Sequence, residues 1–128
     1  MILLARTRGE VDVAVRYLAD GRAPEGALQR EVVTAMESAG LFLTTHPIVG
    51  FGPNAANPHY EPHAGADRVL GPDEVILLDL WGGVREGAIF ADQTWMGFSG
   101  STVPERVQEV WTTVRDARDA VVVAITER

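Results

Sequence analysis

Residues 74–98 read EVILLDLWGGVREGAIFADQTWMGF, and this stretch decides the fold. Val75–Leu78 and Ala88–Ala91 are short apolar runs, each followed by an aspartate, Asp79 and Asp92. Between the strand-like segments lies Gly82–Gly87, rich in glycine. Two such runs around a Gly-containing connection predict the two strands of a hairpin. If Gly83 pairs with Ala88, the loop is Val84–Gly87, and Gly87 supplies the positive φ that such loops often need. That register sets Asp79 directly opposite Asp92 on one face, with Cβ atoms roughly 5 Å apart.

Aspartate is disfavoured in strands, because its short polar side chain competes for backbone groups and packs poorly. Burying a lone carboxylate costs several kcal/mol. Two facing carboxylates repel, so either one takes a proton or a cation sits between them. Divalent metals with oxygen ligands are the usual cation for such a site. The plainer alternative is that both aspartates lie on a solvated strand face or accept hydrogen bonds from loop N–H groups.

Upstream, the chain changes texture. Thr7-Arg8-Gly9-Glu10 reads as a capping box ahead of Val11, Ala14, Val15 and Leu18, with a helix stop at Gly21. A second helix opens at Pro24-Glu25, where proline loses nothing and an acidic residue meets the positive end of the dipole. Leu28, Val32, Ala35, Met36 and Ala39 form its apolar stripe and Gly40 ends it. Both helices read as packing elements without chemistry. Leu41–Gly52 looks extended, and Gly, Pro and Asn then dominate to Pro62 as a loop.

Downstream, Thr102 with Glu105 makes a second capping box for one long helix from about Pro104 to Ile125. Its stripe is Val103, Val107, Val110, Trp111, Val114 and Ala117. The helix ends in VVVAI, apolar on every side, which calls for a cover. Either the helix docks into its own core, or the covering material is not in this chain.

At 128 residues the chain is expected to be a single domain, 1–128, able to bury about two thirds of its unfolded surface. Its net charge of −7 argues against nucleic acid or an anionic membrane as a partner, since both require a basic patch. There is no cysteine, which excludes disulfides, thiolate metal sites and a cysteine nucleophile. The opening MILLAR is too short an apolar run for a signal peptide, so a cytoplasmic location is the default.

All three histidines, His46, His59 and His63, fall within eighteen residues. A lone loop histidine is usually a surface or hydrogen-bonding residue, and His46 and His63 are read so. His59 follows Pro58, which biases Asn57 to extended geometry.

GFGPNAANPHYEP, DEVILLDLW and FADQTWMGFSG together resemble the first half of the catalytic domain of the pita-bread metallopeptidases. These are the Xaa-Pro aminopeptidases, prolidases and methionine aminopeptidases, with the related hydrolase creatinase. The resemblance runs from about Glu25 to Ile125 and is nearest the Xaa-Pro peptidases. It implies an α+β fold, half of a pita-bread domain, with an antiparallel sheet covered by helices on one side. It also implies that Asp79 is a bidentate ligand of one metal and that Asp92 bridges two. His59 would contact a peptide substrate near the scissile bond. The metals implied are manganese, cobalt or zinc, and the reaction is peptide-bond hydrolysis, with two cations activating a bridging water.

Two departures qualify the resemblance. The aspartates are about two residues further apart than is usual in the family, but an even insertion keeps both on one face. The family also completes its site with a histidine and two glutamates from a second half. No histidine follows Asp92, and Glu105, Glu109 and Glu127 belong to the last helix. The expectation is half a site: no complete catalytic set, metal binding weak or absent in this chain alone, and little or no hydrolysis. A non-catalytic peptide- or protein-binding scaffold is the alternative. A half-domain with an exposed apolar face can also pair with a second copy as a homodimer.

Overall fold

The computed structural model describes residues 2–3, 24–63 and 65–127. The helix expected over 7–21 lies outside the described residues. The described elements run β1 (Ile2–Leu3), α1 (Glu25–Ser38), β2 (Ile48–Phe51), a 3-10 turn (Gly52–Ala56), β3 (Val75–Gly82), β4 (Ala91–Phe98) and α2 (Glu105–Thr126). The strands form one antiparallel sheet in the order β1-β4-β3-β2. This is the α+β layout expected.

Helix α1 begins one residue after Pro24, whose extended backbone (φ −69°, ψ 158°) makes it the cap. The free N–H groups of the first turn are met from a distant loop: Glu25 N–H donates to Arg68 O at 2.9 Å and Gly26 N–H to Asp67 Oδ1 at 2.8 Å. The helix closes as expected at Gly40, whose φ of 81° lets Leu41 N–H reach Met36 O at 3.0 Å and Gly40 N–H reach Glu37 O at 2.9 Å. Leu28, Val32 and Met36 of the expected stripe are buried against Val49, Phe51, Ile76, Leu78 and Leu80, one face of the sheet. Ala39, expected to continue that stripe, is exposed because the helix has already ended.

The hairpin forms, but its register differs from the expected one. Asp79 pairs with Thr94 and Trp81 with Asp92, so the aspartates are diagonal neighbours rather than directly opposite. Gly83 is paired on its other side. Its N–H donates to Phe42 O at 3.0 Å and its C=O accepts from Phe42 N–H at 2.7 Å. Gly83 thus bridges to Phe42 and is not paired with Ala88, and the ladder between β3 and β4 ends at Gly82–Ala91. Residues 83–90 form a longer loop closed by Ala88 N–H to Arg85 O at 3.2 Å. Gly87 holds the expected positive φ, 72°.

Helix α2 starts at Glu105, after Pro104 (φ −59°, ψ 144°), and no side chain caps it. The expected Thr102–Glu105 box does not form, because proline sets the first turn two residues after Thr102. No residue of α2 is buried. Val121, Val122, Val123 and Ile125 are 58%, 54%, 50% and 69% exposed, so the apolar end is open among the described residues. Its inner edge, Val107, Val110, Trp111 and Val114, faces Gly52, Val75 and Met96 across an apolar cavity of about 350 Å³.

Candidate functional site

The sheet has two unlike faces. Val49, Phe51, Ile76, Leu78 and Leu80 face α1. Because side chains alternate and paired residues share a side, Ile48, Asp79, Trp81, Asp92 and Thr94 lie together on the other face. The two-residue shift of register preserves this, since a shift by an even number does not turn a strand over. Diagonal neighbours have Cβ atoms roughly 7 Å apart, within reach for side chains that lean towards one another.

Asp79 is half-buried and Asp92 is exposed. Burial pushes the Asp79 carboxyl up from its ordinary value, and the neighbouring Asp92 pushes it the same way, while the bond from Thr94 acts in the opposite sense. That bond runs from the Thr94 hydroxyl to Asp79 Oδ1 at 2.7 Å. Trp81 stands opposite Asp92 and donates its indole N–H to Thr45 Oγ1 at 3.0 Å. The pair is therefore a concentration of negative charge with, among the described residues, a single hydroxyl donor on it.

His59 is exposed in a turn after the 3-10 segment. Asn57 has the extended backbone expected before Pro58 (φ −103°, ψ 107°), and its Oδ1 accepts from His59 N–H at 3.0 Å. His63 Nδ1 lies 3.1 Å from the carbonyl two residues before it, Glu61 O. His46 is exposed on the wall of a separate polar cleft with Glu37, Thr44 and Glu61.

Two carboxylates offer hard oxygen donors, which fit a divalent cation, but two are too few to fill its coordination shell. Among the described residues no group of three or more His, Asp or Glu comes together for a metal. The donor set fits one wall of a metal site.

Two polar residues escaped the sequence reading. Thr94 was readable in principle, being two residues after Asp92 and so on the same strand face. Glu25 was not. It is fully buried, and its carboxylate accepts from Phe51 N–H (2.6 Å), Asn54 Nδ2 (3.0 and 3.1 Å), the Tyr60 hydroxyl (2.7 Å) and Arg68 N–H (3.0 Å). The expectation that the helices carry only packing residues is corrected here. Burial, and then the Glu25 carboxylate beside it, push the Tyr60 hydroxyl up from its ordinary value. Glu74 ties the far end of the same loop, pairing with Arg68 and accepting from Gly71 N–H at 2.7 Å.

No helix among the described residues is long and apolar enough to cross a membrane. No curated protein matches the chain significantly. The model of metallopeptidase family M24, whose members generally bind divalent metals, matches residues 6–128, nearly the whole sequence. With an antiparallel sheet, a helix packed on one side and two aspartates on the other, this α+β layout is consistent with half of the pita-bread domain. The chain belongs to metallopeptidase family M24.

Proposed function

We propose that the sheet face bearing Asp79 and Asp92 is the carboxylate wall of a divalent-metal peptidase site that acts on bonds next to proline. The observation that carries this reading is the pair itself: two carboxylates on adjacent strands of one face, with the Asp79 carboxyl raised by burial and by Asp92. Asp79 and Asp92 would hold the cation. The Thr94 hydroxyl orients one Asp79 oxygen, and the other accepts no hydrogen bond among the described residues. Oxygen donors suit manganese better than the softer ions among those the family resemblance implies. The bound cation supplies Lewis acidity for peptide hydrolysis. His59 contacts the substrate near the scissile bond from its turn.

This chain brings two acidic ligands and no histidine beyond His63. The carboxylate that moves protons in such hydrolysis is not among them, so by itself the 128-residue chain hydrolyses little or nothing. Titration calorimetry with manganese tests the wall: weak binding is expected, and loss of the heat in Asp92→Asn. Heat that persists unchanged in Asp92→Asn overturns the reading. Robust cleavage of proline-containing peptides by this chain with manganese overturns its inactivity.

The open apolar side of α2 favours a second reading, a binding scaffold or a homodimer built on that face. Peptide binding that persists in a chelator supports the scaffold. A sedimentation run that shows only monomer at high concentration removes the dimer.

A further inference from the structure

Between Ala56 and Val75 no helix or strand forms among the described residues, yet this segment carries His59. Local backbone turns and the bond from Glu25 N–H to Arg68 O shape its path, and among the side chains that tie it down Glu25 is the hub. Glu25 Oε1 accepts from Phe51 N–H and Asn54 Nδ2, at the entry to the segment. Its Oε2 accepts from the Tyr60 hydroxyl, at the middle, and from Arg68 N–H, near the exit. These partners lie 26, 29, 35 and 43 residues from Glu25 in sequence. A carboxylate buried to 0% exposure with this many donors is held in one place, and it holds them in turn. Tyr60 is the residue next to His59, and its hydroxyl is the bond that reaches Glu25 from the turn itself.

We infer that Glu25 is a positioning residue for His59, acting through the Tyr60 hydroxyl. The inference rests on the reading of His59 as a substrate-side group. Oε2 lies where the entry and exit of the segment converge, so a tyrosine at 60 fixes the adjacent histidine without touching it. Phenylalanine at 60 keeps the ring and the packing and removes the hydroxyl with its bond to Glu25 and its longer one to Ala66 O (3.4 Å), leaving the bonds from Phe51, Asn54 and Arg68 to Glu25 in place.

The test compares Tyr60→Phe, His59→Ala and the double variant by backbone NMR relaxation, amide exchange and binding of a proline-containing tripeptide with manganese. In Tyr60→Phe the His59 amide should exchange about tenfold faster, the worth of one hydrogen bond to a charged group. Residues 57–60 should lose order while Phe51 and Arg68 stay protected. Peptide binding should weaken no more than in His59→Ala, and the double variant should be no weaker than His59→Ala, because both act on one contact. Manganese affinity should stay within about twofold, since the aspartates are on another element. Unchanged order at 57–60 in Tyr60→Phe overturns the inference. So does a loosened turn whose peptide binding is intact while His59→Ala weakens it. Peptide binding that is absent, or unaffected by His59→Ala, instead overturns the role given to His59, and the inference falls with it.

Discussion

Glu25 and the Asp79/Asp92 pair are both acidic groups placed by the same sheet, and their surroundings are opposite. Glu25 lies in the core edge with no exposure and accepts from two backbone N–H groups, an amide and a hydroxyl. Asp79 lies half-buried on the other face with one hydroxyl on it and another carboxylate beside it. A carboxylate surrounded by donors is part of the scaffold, because its desolvation is offset bond by bond. A carboxylate short of donors and next to another leaves an electrostatic deficit that an incoming cation removes. The contrast separates what holds this chain together from what it offers a ligand.

The contrast breaks most easily at Glu25. Glu25→Ala leaves four buried or half-buried donors facing a cavity and should cost about 4 kcal/mol, read as a fall in the urea midpoint at constant slope. A loss below about 1 kcal/mol would mean that water replaces the carboxylate and that Glu25 is no scaffold element. Next in size, Leu28→Ala in the α1 stripe should cost about 3 kcal/mol. Val122→Ala on the open end of α2 should cost under about 0.5 kcal/mol by the same measurement. Comparable losses at both sites would show that the end of α2 is covered in solution.

At the pair the sign reverses. Without metal at neutral pH, Asp92→Asn should stabilise the fold by about 0.5 kcal/mol, since it removes a like-charge neighbour across the strands at a largely solvated site. Destabilisation would mean that Asp92 already has a compensating donor. The smallest effect is the pH profile. The folded carboxyl of Asp79 is raised above its ordinary value of 3.8, so the folded state binds that proton more tightly than the unfolded chain does. Its stabilising contribution is complete below that ordinary value and is lost as pH rises through the raised one. Asp79→Asn should remove this component of the slope in a series of thermal melts, and an unchanged slope would place the titration elsewhere.

How far the sequence could be read follows from where each residue finds its partners. The α1 stripe, its Gly40 stop and the hairpin were legible, because they rest on periodicity and on local turn chemistry. The same-face placement of Asp79 and Asp92 was legible too, since alternation survives any even error in register. Their direct opposition was not, because the connection is the longer loop 83–90 rather than the four-residue turn that glycine placement suggested, and the register moves by two residues. Thr102 and Glu105 matched a capping pattern, and Pro104 between them overrode it. Glu25 looked like an ordinary first-turn acid. Its donors come from the loop between Phe51 and Arg68, and spacing along the chain says nothing about such a meeting.

The donors on Glu25 are a further consequence in themselves. Backbone amides, a side-chain amide and a phenol are all uncharged, so among the described residues the hub contains no ion pair for dissolved salt to weaken. The repulsion between Asp79 and Asp92 stands at the surface, where it fades once the ionic strength shortens the Debye length to about 3 Å near 1 M. Raising the salt should therefore quiet the face that awaits a cation and leave the loop beside it where it is. Ionic strength becomes a dial that acts on one acidic group and passes over the other.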